Sequence, residues 1–202
     1  MDRGRLEAFS DGVFAIIITI MVLDLRVPAG TDLAALRPLL PVFLTYVLSF
    51  VYIGIYWNNH HHLLKAAPRI SAGIMWANLF LLFCLSLFPL ATGWAGENHF
   101  AALPTALYGL VLFSAGAAYW LLQTLIVAAQ GGRSSELGQA LGSDWKGKLS
   151  VAVYAVAVAV AFVAPGLAAA LYVVVAAVWL VPDRRLARLL ESGDGAPSDT
   201  TA

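Results

Sequence analysis

Ser10, Asp11 and Thr19 are polar side chains set in an otherwise apolar stretch, FSDGVFAIIITIMVLDL over residues 9–25. A second concentration of chemistry closes the next apolar stretch, YWNNHHHLLK over residues 56–65, and Asn78 stands inside a third, RISAGIMWANLFLL over residues 69–82. Carboxylate, hydroxyl, imidazole and amide groups meeting at one depth would form a buried hydrogen-bonded network that locks three helices together. His60, His61 and His62 do not suit a metal. Consecutive helical residues point about 100° apart, and the i, i+3 or i, i+4 pair that zinc-binding helices use is missing. Cys84, the one cysteine, lies in an apolar run with no base near it in sequence and no partner for a disulfide.

Helical spacing separates the first stretch into faces. Measured from Ile16, Ile20 lies about 40° away, Leu23 about 20° the other way and Thr19 about 60° off, so these four form one stripe. Asp11 lies about 140° from Ile16 and serves a different face. Lipid contact or helix packing explains an aliphatic stripe, and a hydroxyl bonded to its own helix explains Thr19. Asp11 is harder to explain away, because an ionisable group at membrane depth costs several kcal/mol.

The elements that position these residues follow from composition. The chain has 202 residues, 60% of them hydrophobic and only 12% charged, with a mean hydropathy of +0.80. Soluble domains carry about 25% charged residues, so most of this surface must face something other than water. Apolar segments at about residues 7–27, 39–64, 70–93, 102–129, 147–164 and 167–182 are the expected spans. The last two meet at Pro165-Gly166, a turn signal. A single helix over 147–182 would run about 54 Å, nearly twice the hydrocarbon thickness, so a hairpin of two spans is expected. The fold class is all-α, an integral membrane protein of six transmembrane helices in one unit over residues 1–185.

Charge gives the orientation. Arg3, Arg5, Lys65, Arg69, Arg133, Lys146, Lys148, Arg184, Arg185 and Arg188 fall on one side of a six-span layout, against Arg26 and Arg37 on the other. Lys and Arg concentrate in cytoplasmic loops, so both termini are expected inside. Residues 186–202 are polar and expected to be a disordered cytoplasmic tail. The Gly- and Ser-rich loop over 131–144 has room for a short surface helix. A signal peptide is not expected, since Asp11 interrupts the apolar run that Arg3 and Arg5 precede. The net charge is zero and no basic, aromatic-interleaved patch suggests a nucleic-acid partner.

Arg5-x-x-x-Phe9-Ser10-Asp11, followed by Ala15, Ile16, Thr19 and LDLRVP, resembles the bacterial members of the TMEM175 potassium channel family. The histidine run and NLFLLFCLSLFP in the third segment are similar to that family too. The resemblance implies a potassium-permeable channel without a TVGYG filter, which this sequence also lacks. It implies a homotetramer of single six-helix units in the inner membrane of a bacterium, with the first helices lining the pore and lipid around it. On this resemblance Ile16 forms the narrowest ring, with Ile20 and Leu23 continuing it and Thr19 lending modest K⁺ over Na⁺ selectivity. Arg5, Phe9, Ser10, Asp11, Asn78 and one or more of His60, His61 and His62 form the structural network, with Asp11 turned into its own subunit's bundle. No cofactor is implied, and K⁺ is the permeant ion.

The residues alone leave rivals open: an intramembrane enzyme or a proton-coupled transporter using Asp11 and the run His60 to His62. Against the enzyme, Asp24 lies about 20 Å along the helix from Asp11 and the chain has no GxSxG or HExxH arrangement. Against the transporter, no internal repeat is visible.

Overall fold

The computed structural model describes residues 2–67, 69–142 and 144–180. The described chain is helical. It comprises α1 (Arg3–Leu23), a 3₁₀ turn (Leu33–Leu39), α2 (Leu40–Lys65), α3 (Ala72–Ser86) and α4 (Phe88–Glu97). Beyond these come α5 (Ala102–Ala129), a second 3₁₀ turn (Gly132–Ser134), α6 (Glu136–Leu141), α7 (Trp145–Val160) and α8 (Pro165–Leu180). The expected tail over 186–202, with Arg184 and Arg185 before it, lies outside the described residues.

Local chemistry sets the boundaries. α1 starts at Arg3, ahead of the apolar stretch, and stops at Leu23 with Asp24 as its C-cap, shortly before Pro28 and Gly30. Asp32 accepts from the Ala35 amide and caps the 3₁₀ turn. Ser71 caps α3 by accepting from the Ile74 amide. Within the segment expected as one span over 70–93, the helix is interrupted at Leu87, which divides α3 from α4. The physical reason is Pro89, which has no N–H to return to the Leu85 carbonyl. The loop over 131–144 carries the short helix α6, held by a Ser135 cap on Gly138.

Among the described residues, four helical stretches are long and apolar enough to cross a membrane: Arg3–Leu23, Leu33–Lys65, Ala72–Glu97 and Ala102–Ala129. α7 and α8, with 16 residues each, rise about 24 Å. They form an antiparallel hairpin in which Trp179 Nε1 donates to Ser150 Oγ at 2.8 Å.

The core sits around α5, which packs on α3 and α4 on one side and on α7 and α8 on the other. Small residues let the helices approach. A Cβ at Gly96 of α4 would stand 2.6 Å from the Val42 Cα of α2, and one at Gly109 of α5 would overlap the Tyr172 hydroxyl. In hydrocarbon, where lipid is as apolar as a protein interior, such close packing supplies much of the association. Trp76, Phe80, Phe83, Trp120, Phe162 and Val163 point outward, as suits a lipid-facing belt.

α1 is peripheral. Among the described residues it packs mainly on α2, α3 and α4. Its buried residues are Leu6, Ser10, Phe14, Ile17 and Met21, a narrow stripe that leaves half of the helix uncovered.

Candidate functional site

Two hydrogen-bonded groups hold the covered face of α1, one toward each end. Toward the amino end, Ser10 Oγ donates to the Leu6 carbonyl at 2.8 Å. The Asn78 amide of α3 donates to Ser10 Oγ at 3.0 Å, and Asn78 Oδ1 stands 2.6 Å from His60 Nε2 of α2. Ser10, His60 and Asn78 are all sealed from solvent, and the Phe14 ring packs on His60 with centroids 5.4 Å apart. Three helices meet here through satisfied polar groups, an arrangement that fixes position because any slip would leave one of them unpaired.

Toward the carboxyl end, Tyr108 of α5 bonds Ser49 of α2 at 2.9 Å and Ser49 bonds Thr92 of α4 at 2.6 Å. Thr92 Oγ1 then reaches the Met21 sulfur of α1 at 3.9 Å. Sequence reasoning missed this group. Its members are single Ser, Thr and Tyr residues in apolar runs, and nothing in their local spacing pairs them.

The uncovered face carries the stripe. Ile16 is 57% exposed, Ile20 45% and Leu23 81%. Thr19 is exposed beside them, and its hydroxyl donates to the Ile16 carbonyl at 2.9 Å and the Ala15 carbonyl at 3.1 Å. With its hydrogen turned back into the helix, the Thr19 oxygen presents its lone pairs outward.

Three placements differ from expectation. Asp11 does not turn into its own bundle: it is exposed, and its Oδ1 accepts from Trp57 Nε1 of α2 at 2.9 Å. Ser10 holds the inward direction, and neighbouring residues on a helix diverge by about 100°. Arg5 and Phe9 do not join the buried network either. Both are exposed, each about 20° from Ile16 in projection, with Arg5 about 140° and Phe9 about 100° from Ser10. His61 stands outside as well, its ring stacked on Trp57 at 6.4 Å. The three histidines thus enter three different environments, His62 keeping a buried Nδ1 with no hydrogen-bond partner among the described residues.

Asp24 lies at the far end of α1 from Asp11, beside the Arg26–Glu97 ion pair of 2.7 Å. The two carboxylates of the enzyme reading are therefore not brought together.

A channel protein of a Chryseobacterium species, named a potassium channel, is 49% identical over 191 residues, covering 95% of this chain and 99% of that protein. The sequence profile of a family described as the endosomal/lysosomal potassium channel TMEM175 matches residues 5–89, which hold α1 from Arg5 onward, His60 and Asn78. The chain belongs to the TMEM175 family. A second relative, named a potassium channel of Streptomyces collinus, is 37% identical over 132 residues, 60% of this chain and 63% of that protein. The fold is similar to the crystal structure titled a lysosomal potassium-selective channel TMEM175 homolog from Chamaesiphon minutus, with a TM-score of 0.77 and 25% identity over 90% of this chain and 97% of that one.

Proposed function

We infer that the protein is a potassium-permeable channel in which four copies surround an axis lined by α1. The observation that carries this reading is the uncovered half of α1, where the Ile16, Ile20 and Leu23 stripe shares the surface with Asp11. An aliphatic stripe alone is at ease in lipid. Asp11 is not: four residues past the start of the apolar segment at residue 7, it sits about 6 Å into the span, where an exposed carboxylate facing lipid is costly. One hydrogen bond from Trp57 offsets only part of that. Further copies of the chain would cover the carboxylate while turning the stripe toward an axis.

The relatives named potassium channels support K⁺ as the permeant ion, and the resemblance of the first helix supports four copies of this single unit. Rings of Ile16, Ile20 and Leu23 constrict the path and gate it by narrowing and dewetting. Four Thr19 oxygens replace part of the ion's hydration shell, and so sparse a ligand set favours K⁺ over Na⁺ only modestly. Conduction is passive and needs no cofactor.

Six crossings by α1, α2, α3 with α4, α5, α7 and α8 complete the unit. Seven of the nine described Lys and Arg residues then lie at the end that holds the amino terminus, in keeping with a cytoplasmic placement of both termini in a bacterial inner membrane. The short α7 and α8 match the bilayer by local thinning.

The test is K⁺ flux into liposomes holding purified protein, comparing the native chain with Ile16→Asn. Flux that rises with the polar substitution supports a constriction at Ile16. Well-assembled protein that passes no K⁺ in either form would sink the reading.

A further inference from the structure

α1 runs unbroken from Arg3 to Leu23, so the face that carries Ile16 continues toward the amino end. Gly12 comes next, about 40° from Ile16 in projection, then Phe9 and Arg5, each about 20° off. All three are exposed. A Cβ built on Gly12 meets nothing within 4 Å, and Phe9 is 52% exposed. Arg5 makes no hydrogen bond or ion pair among the described residues, whereas Arg3, on the other side of the helix, is held by the Lys65 carbonyl at 3.0 Å and by Glu7 at 3.8 Å.

The geometry points to an inner vestibule whose entrance is a ring of four Arg5 guanidinium groups, which thins the local K⁺ concentration on the cytoplasmic side and makes the current rectify inward at low ionic strength. This inference rests on the α1-lined tetramer proposed above. In sequence from the cytoplasm, the wall then reads as an Arg5 ring, a Phe9 ring, a wider chamber at Gly12 and the Ile16 constriction. Arg5 lies about 16 Å from Ile16 along the helix, too far to touch an ion at the constriction but at the mouth through which every outward-moving ion passes.

The other charges of this end do not cancel the ring. Arg3 and Glu7 compensate each other on the covered side, and Asp11 faces Trp57 about 120° away from Arg5. Among the described residues of α1 and its N-cap, Asp2, three residues from Arg5 at the helix start, is the opposing charge on the same side, and no ion pair among the described residues joins the two. Fixed charge at a mouth acts over the Debye length, about 30 Å at 0.01 M salt and about 3 Å at 1 M. The effect is therefore large in dilute salt and absent in concentrated salt.

The experiment is current recording from excised patches of giant bacterial spheroplasts, where the cytoplasmic face is known, in symmetric KCl at low and at high concentration. The native channel should carry about 3–10 times less outward than inward current near 0.01 M and lose that asymmetry near 1 M. Arg5→Gln should remove the asymmetry and Arg5→Lys should keep it, because charge rather than guanidinium shape is at work. Asp2→Asn should deepen it, which keeps the inference testable if Arg5→Gln fails to assemble. Native currents that are symmetric at low salt, or asymmetry that survives in Arg5→Gln, overturn the ring and leave the channel reading standing. Absence of any K⁺ current from the native chain counts instead against the channel itself.

Discussion

His60 Nε2 and Asn78 Oδ1 stand 2.6 Å apart in a site sealed from solvent, and the direction of that bond is fixed by what lies beyond it. Ser10 gives its hydroxyl hydrogen to the Leu6 carbonyl, so it can only accept from the Asn78 amide. Asn78 must then turn its oxygen to His60, and His60 must carry its hydrogen on Nε2. The chain of donors runs His60, Asn78, Ser10, Leu6. One histidine tautomer is thereby written into the packing of α1 against α2 and α3.

Asn78→Leu tests that chain. It orphans a donor on His60, and each buried group left unpaired costs about 1–3 kcal/mol. The expected outcome is a fall in the thermal midpoint of the detergent-purified protein, followed by tryptophan fluorescence. A midpoint unchanged from the native protein would mean that water or an alternative rotamer already serves His60.

Thr19→Val probes the other face at nearly constant volume. The native hydroxyl spends its hydrogen on the Ile16 and Ala15 carbonyls, so the substitution removes outward lone pairs and few packing contacts. We expect stability within about 0.5 kcal/mol of the native protein, as for other exposed positions. The K⁺ over Na⁺ permeability ratio from bi-ionic reversal potentials should fall toward unity, and Thr19→Ser should preserve it. An unchanged ratio in Thr19→Val places selectivity elsewhere.

How far the sequence could be read depended on what a lipid environment conceals. Spacing alone placed Ile16, Ile20 and Leu23 on one stripe, because the helical period is the same in any solvent. The alternation of spans put Ser10, Asn78 and the histidines at one end. Phase was the quantity that could not be read. The covered residues Leu6, Phe14, Ile17 and Met21 are as apolar as the uncovered Phe9, Ile16 and Ile20, and where lipid and protein interior are alike no polarity contrast marks the inward side. Ser10 and Asp11 are adjacent polar residues, so without that phase Asp11 was given an inward place beside Ser10 that Ser10 alone holds. The break at Leu87 was a different matter: Pro89 was visible in the sequence, and the chain simply obeyed it.

The Trp57–Asp11 bond makes a prediction of its own. Trp57→Phe leaves the aromatic surface but withdraws the indole N–H from Asp11, so the carboxylate keeps its charge and loses its donor. Hydrogen bonds to charged groups contribute about 1.5–3 kcal/mol. A double-mutant cycle with Asp11→Ala, read as the detergent concentration at which the assembled form dissociates, should give a coupling energy in that range. Coupling near zero would mean that Asp11 is held by the neighbouring copy rather than by Trp57.

Close packing on the far side of α5 gives the sharpest steric test. A Cβ at Gly109 would overlap the Tyr172 hydroxyl and stand 2.7 Å from its Cζ. Tyr172 cannot swing clear at little cost. It is buried, its hydroxyl donates to the Thr105 carbonyl at 3.2 Å, and its ring is flanked by Tyr108 and Tyr154. Gly109→Ala should therefore destabilise the protein by about 1–3 kcal/mol, the usual cost of overpacking. Tyr172→Phe in the same chain should recover part of that loss, because the hydroxyl is gone while Cζ remains close. Gly96→Ala has no such remedy, since its obstacle is the Val42 Cα at 2.6 Å and backbone moves only if α2 and α4 part. Equal thermal midpoints for Gly109→Ala with and without Tyr172→Phe would show that the helices, rather than the tyrosine, absorb the strain.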